Sequence, residues 1–113
     1  MKVTNLRNGR EISNNLAVAN SLLKRMMGLI GKTEMKAGEA LLIKPCMSIH
    51  TFFMRFPIDV VFLNKKNYVI ALIKNLQPNR ITHLYLSAAS VLELPAGTLK
   101  EIDTRVGDEI EIA

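Results

Sequence analysis

One stretch of the chain concentrates side chains able to do chemistry: Pro45-Cys46-Met47-Ser48-Ile49-His50-Thr51-Phe52-Phe53-Met54-Arg55-Phe56-Pro57-Ile58-Asp59. By type, Cys46 and His50 are a nucleophile and a base, and thiol catalysis needs the two within hydrogen-bond reach. Residues four apart on a straight strand are separated by about 13 Å, so this pairing requires a sharp bend after Pro45. Cys46, His50, Met54 and Asp59 are also of the types that bind copper or zinc. Neither CxxC nor HxxxH spacing occurs, so no metal and no other cofactor is expected. The remaining readings are a structural His50–Asp59 pair, or a polar groove that binds a ligand or partner. If a turn near residues 54–57 sets Phe53 opposite Ile58, then Ile49, Thr51, Phe53, Ile58, Val60 and Phe62 share one apolar face. Ser48, His50, Phe52, Asp59 and Val61 share the other, with His50 diagonal to Asp59 at about 7–8 Å between backbones. If the two runs instead form one straight strand, His50 and Asp59 fall on opposite faces. Glu93, between Leu92 and Leu94, either points outward from a strand or faces the same groove and balances Arg55.

The rest of the chain offers little catalytic equipment. No Ser-His-Asp order, nucleophile elbow or paired catalytic carboxylates can be read. Gly28-Leu29-Ile30-Gly31 lacks the spacing of a phosphate-cradling loop. His83 sits in a loop-like stretch and reads as exposed. The six methionines, scattered between helix and strands, read as adaptable core filler.

The elements that must position these residues are mostly strands. Lys2–Leu6 alternates, Asn8-Gly9 is a strong turn dipeptide, and Glu11-Ile12 begins a return strand. Leu16–Ala19 extends that sheet, and Asn20 or Ser21 offers a helix N-cap. From Leu22 the period becomes helical: Leu22, Met26 and Leu29 form one row and Leu23, Met27 and Ile30 another. The spacing predicts a short core-packed helix over residues 20–30, ended by Gly28 or Gly31. Residues 32–39 form a polar connection. Strands are expected at Ala40–Lys44, Ser48–Phe53, Ile58–Leu63, Tyr68–Lys74, Ser90–Leu94 and Glu109–Ile112, with a tight turn at Asn64–Asn67 and a longer loop at Asn75–Ile81. Leu84–Ala89 reads equally as strand or helical turn. The expected architecture is one α+β domain over residues 1–113. It is mostly antiparallel β, meandering into a barrel-like or small sandwich sheet, with the one helix packed on it.

Composition narrows the class. With 113 residues, 49% of them hydrophobic and 22% charged, the chain can bury a core without disulfides. Its lone cysteine suits a reducing compartment, and no apolar run approaches the roughly 18 residues of a membrane span. A cytoplasmic protein is expected. Lys and Arg outnumber the acids thirteen to four over residues 1–92, and are outnumbered two to six over residues 93–113. That asymmetry raises an anionic partner. The bases are scattered, however, and aromatics make up only 5%, which argues against nucleic acid.

At this point the residues resemble a known family. Ser48-Ile49-His50-Thr51-Phe52-Phe53-Met54-Arg55-Phe56-Pro57-Ile58-Asp59-Val60-Val61-Phe62-Leu63 looks like the signature of the bacterial and archaeal DUF192 family of uncharacterised proteins. Val91-Leu92-Glu93-Leu94-Pro95-Ala96-Gly97-Thr98 resembles its second signature, followed by Val106-Gly107-Asp108, and Arg25-Met26-Met27-Gly28-Leu29-Ile30-Gly31 resembles its helix-end motif. The likeness runs from about residue 17 to 112. Met27 stands where members often carry a second arginine, which weakens anion binding there, and Asn64 replaces a common aspartate. Many relatives carry an export signal and a Phe-Trp-Met-Lys version of the central motif. This chain, with His50-Thr51, resembles the leaderless branch, some of which is encoded near pilus-assembly or secretion genes. The resemblance implies a compact β-rich fold with one helix and an accessory role. It brings no established activity, cofactor or catalytic residue.

The expected function is therefore a non-enzymatic binding module. Its polar groove, around Cys46, Ser48, His50, Arg55, Asp59 and Glu93, would engage a protein segment or a small ligand. Asp59→Asn should then weaken binding while the fold persists. The rivals are an enzyme using Cys46 or a His50–Asp59 pair, and nucleic-acid binding through the basic surface.

Overall fold

A computed structural model describes residues 1–113 as two β-sheets and two short helices. The chain opens with a hairpin of β1 (Val3–Asn5) and β2 (Arg10–Ser13). Its turn is the one expected: Gly9 takes φ 70° and its N–H donates to the Asn5 carbonyl at 2.8 Å. The last strand, β8 (Ile110–Ile112), pairs antiparallel with the other edge of β1, giving a three-stranded sheet in the order β2-β1-β8. Beyond that ladder, Lys2 and Ala113 exchange main-chain hydrogen bonds of 2.8 and 3.0 Å.

The larger sheet holds β3 (Asn15–Ala19), β4 (Glu39–Ile43), β5 (Ile58–Leu63), β6 (Val69–Leu76) and β7 (Ser90–Pro95), ordered β3-β4-β7-β5-β6. Every pairing is antiparallel except β3 with β4, which run parallel from Asn15↔Glu39 to Ala19↔Ile43. A parallel pair needs a long crossover, and here residues 20–38 supply it, carrying α1 (Leu22–Met27). The fold is α+β and sandwich-like, with no closed barrel.

Strand period sorts the core into two layers. On one face of the five-stranded sheet, Leu42, Val61, Leu63, Leu92 and Leu94 pack with Val3, Ile12 and Ile110 of the small sheet and with Leu99 and Ile102 of α2 (Thr98–Ile102). On the other face, Leu41, Ile43, Ile58, Val60, Phe62 and Val91 are covered by Leu29, Ile49, Met54 and Ala88 from loops. Both faces of the sheet are thus buried.

Several expectations need correction. The helix exists, with Ser21 accepting from the Lys24 N–H at 3.2 Å and Gly28 ending it at φ 48°. It buries none of its residues, though: Leu22, Leu23, Met26 and Met27 are 50–69% exposed. Only Leu29, past the helix end, enters the core. Residues 48–53 are not a strand. Their one bridge, His50↔Ile81, faces the 77–82 loop instead of β5. Thr51 is the reason. Its N–H donates to the Arg80 carbonyl (2.8 Å), its hydroxyl donates to the Gln77 carbonyl (2.7 Å) and accepts from the Arg80 N–H (2.9 Å), and its carbonyl accepts from Asn79 N–H (3.0 Å). Phe53, expected inside, is 78% exposed at φ 67°. A second helix, α2, was not expected at all. Residues 84–89 form neither strand nor helix.

Candidate functional site

The face of the large sheet away from the small sheet carries a cleft of about 400 Å³ between α1 and the 45–50 loop. Its wall is made by Arg25, Met26 and Met27 on one side and Cys46, Ser48 and His50 on the other, with Glu93 beneath. Four of the six candidate residues named from sequence (Cys46, Ser48, His50 and Glu93) therefore line one cavity, and Arg55 and Asp59 do not.

Glu93 is the unusual member. It lies on β7 between partners Leu41 of β4 and Val60 of β5, which places it on the Val91 side of the strand. Because the sheet is covered on both faces, a position that reads as outward is inside the second apolar layer. Glu93 is 3% exposed and its Oε2 has no hydrogen-bond partner. A buried carboxylate without a partner is costly, and burial pushes the Glu93 carboxyl up to about 8. At neutral pH it is mostly a neutral acid, able to donate and to accept. Arg55, expected to balance it, is exposed and enters no ion pair. The cation in the cleft wall is Arg25 instead. Its Nη1 donates to the Pro45 carbonyl at 3.1 Å, tying the helix to the loop, and its Nε is buried without a partner.

Cys46 is half-buried, its main-chain N–H donating to Ala89 O at 3.1 Å and its Sγ–H to Ser48 O at 3.0 Å. Burial pushes the thiol up, and the nearby Glu93 adds to this while the Ser48 contact and Arg25 oppose it. A thiol so held is not a ready nucleophile. His50 is exposed, stacked on Phe52 at 5.4 Å, and its Nδ1 accepts from the Phe52 N–H at 3.2 Å.

Asp59 belongs to the opposite side of the molecule. It alternates with Val60 on β5 and so faces α2, 1% exposed. Its Oδ2 accepts from the N–H groups of Gly97 (3.1 Å) and Leu99 (2.9 Å), and its Oδ1 from Asn75 N–H (2.9 Å). Gly97 is the N-cap residue of α2, at φ 96°, and has no side chain to cap with. Asp59 supplies the missing cap from another strand. The His50–Asp59 pair is not formed, because the two lie on different faces of the sheet.

Two features escaped the sequence reading. Arg25 is legible in the sequence only as part of a helix-end motif, and scattered methionines read as core. Met26, Met27, Met47 and Met54 instead all line the cleft, and only Met54 is buried. No group of three or more His, Cys, Asp or Glu is placed to hold a metal, and no helix is long and apolar enough to cross a membrane.

Sheet order, the two layers and the cleft define a class of small α+β proteins built on a mixed five-stranded sheet. Within it the chain belongs to the DUF192 family of uncharacterised proteins (Uncharacterized ACR), whose model matches residues 3–112. It is similar to a UPF0127 protein of Pyrococcus furiosus, 30% identical over 112 residues and covering 95% of this chain and 94% of the relative. A UPF0127 protein of Pyrococcus horikoshii is 34% identical over 99 residues, 83% of this chain and 84% of the relative. The crystal structure of a protein of unknown function from Novosphingobium aromaticivorans superposes with a TM-score of 0.83 at 21% identity, covering 98% of this chain and 82% of that one. That likeness shows the fold.

Proposed function

We propose that the chain is a small binding module whose cleft under α1 receives an apolar ligand or protein segment. The observation that carries this reading is the Glu93 carboxyl, buried in the floor of a mostly apolar cleft with Oε2 unpartnered. A buried polar atom left without a partner costs free energy that a bound hydrogen-bonding group recovers. The helix beside it buries nothing of its own, so apolar surface stands ready on the same side. The protonated thiol of Cys46 and the separation of His50 from Asp59 favour binding over catalysis. The scattered bases, with so few aromatics, favour a protein segment or small ligand over nucleic acid. Following the resemblance to relatives encoded beside pilus-assembly and secretion genes, such a module fits an accessory role of holding a segment of another protein.

The test is amide chemical-shift mapping during titration with the aromatic anionic dye 8-anilinonaphthalene-1-sulfonate, whose rings suit the apolar lining and whose sulfonate suits Arg25. Shifts concentrated at Gly28, Cys46–His50 and Glu93, and lost in a folded Ser48→Trp variant whose indole fills the cleft, are expected. Shifts scattered over the surface, or unchanged by Ser48→Trp, overturn the reading.

A further inference from the structure

A second depression adjoins the cleft. Arg25, Pro45, Cys46 and Met47 also line this larger depression of about 780 Å³, bounded beyond them by Lys65, Lys66 and residues 86–89. The two share these four residues and adjoin, one mostly apolar beneath α1 and the other carrying Lys65 and Lys66. Their charge is one-sided. Arg25, Lys65 and Lys66 are their cations, and Glu93 is the single carboxyl that lines them. None of the three cations is neutralised internally. The four ion pairs of the molecule join Lys2 with Glu11, Arg7 with Asp103 and with Asp108, and Arg105 with Asp103.

We propose that these two adjoining clefts together hold an amphipathic, acidic peptide segment of a partner protein, with apolar side chains under α1 and acidic side chains against Lys65, Lys66 and Arg25. The proposal rests on the binding reading above and names its ligand. Charge complementarity selects the acidic end, since opposite charges steer and register a partner. Thioether side chains suit the apolar end, because methionine adapts to varied side chains where a branched residue would not. At the basic end, Leu86 and Ser87 are the central residues of a turn closed by the Ala88 N–H to the Tyr85 carbonyl at 3.0 Å, so their N–H groups and the Ser87 hydroxyl have no partner within the chain and can meet a carboxylate. Neutral Glu93 presents a hydrogen-bonding carboxyl without repelling an acidic guest.

The experiment is selection of short random peptides displayed against the folded full chain, followed by fluorescence anisotropy of the enriched peptides. Enriched sequences combining Leu, Met or Phe with Asp or Glu are expected, and their affinity should fall with added salt. The double variant Lys65→Glu, Lys66→Glu changes two exposed residues and should weaken them by about tenfold or more. Ser48→Trp should abolish binding. Apolar peptides with no acidic bias, insensitive to the lysine reversal but lost in Ser48→Trp, overturn the acidic segment and leave the cleft reading standing. No enrichment, or peptides held equally by Ser48→Trp, overturns the acidic segment, and the dye titration above then decides the cleft reading on its own. Binding to phosphatidylglycerol vesicles with no peptide enriched assigns these clefts to an anionic lipid and overturns the proposal as well.

Discussion

At the scale of single residues, the two buried acids of the large sheet have opposite fates. Asp59 is surrounded by donors. Asp59→Asn keeps the shape but loses the charge that three main-chain N–H groups answer, and should cost about 1–3 kcal/mol, read by urea unfolding. The folded variant should bind dye at the α1 cleft as the parent does, because Asp59 lies on the other face. Glu93 has no donor at Oε2 and keeps its proton. Its ordinary value of 4.5 holds in the unfolded chain, whereas the folded value is about 8. The folded state therefore binds more protons between those values, and stability falls as pH rises from about 4.5 to 8, then levels. Between pH 5 and 7 the loss from this group is roughly 2–3 kcal/mol. Glu93→Gln should remove that slope and be more stable than the parent at pH 7, measured by urea unfolding at both pH values. Local pattern and register do not place either acid. In an alternating strand an acid between apolar residues points to solvent, but β5 and β7 are interior strands covered on both faces, so neither Asp59 nor Glu93 has an outside to point to.

At the scale of elements, what was legible followed from local chemistry. The Asn8-Gly9 turn, the Ser21 cap and the Asn64–Asn67 turn, where the Asn64 Oδ1 accepts from Lys66 and Tyr68 N–H groups, each need only their own neighbours. What failed depended on remote partners. Ile49 and Thr51 do alternate inward, yet the Thr51 hydroxyl commits its segment to the 77–80 loop, and no periodicity in 48–53 reveals that. α2 spans five residues, too few to show a helical period, and its capping carboxylate comes from 40 residues upstream of Leu99. The parallel pairing of β3 and β4 is equally silent in either strand alone. For α1 the period was right and the packing was not, since a 3.6-residue apolar stripe marks a face that wants covering without naming the cover. With no buried side chain, α1 is held by its cap and by the Arg25–Pro45 tie. Its amides should exchange with deuterium well before those of β5 and β7. Ser21→Ala should cost about 1 kcal/mol locally, speeding exchange over Leu22–Gly28 while the global unfolding midpoint hardly moves.

At the scale of the whole molecule, the charge asymmetry of the sequence becomes geography. The acid-rich stretch 93–113 returns to the first strands, where Asp108 accepts from Arg7 Nε at 2.7 Å, from Asn5 Nδ2 at 2.9 Å and from Arg105 N–H at 2.8 Å. Burial works against this carboxylate, but those hydrogen bonds hold it below its usual range. The internal ion pairs therefore gather beside the small sheet, and the adjoining clefts keep their positive charge for something else. The same closing strand sets an order of assembly. Val3 and Asn5 are fully buried in the finished molecule, yet one flank of β1 stays bare until Ile110–Ile112 arrives more than a hundred residues later. Loop closure over that span comes late, because its entropy must be met before any contact rewards it. All five strands of the large sheet precede β8 in the chain and pair without it. The sheet that carries the clefts can thus find its register first, and the two ends of the domain meet as the final latch.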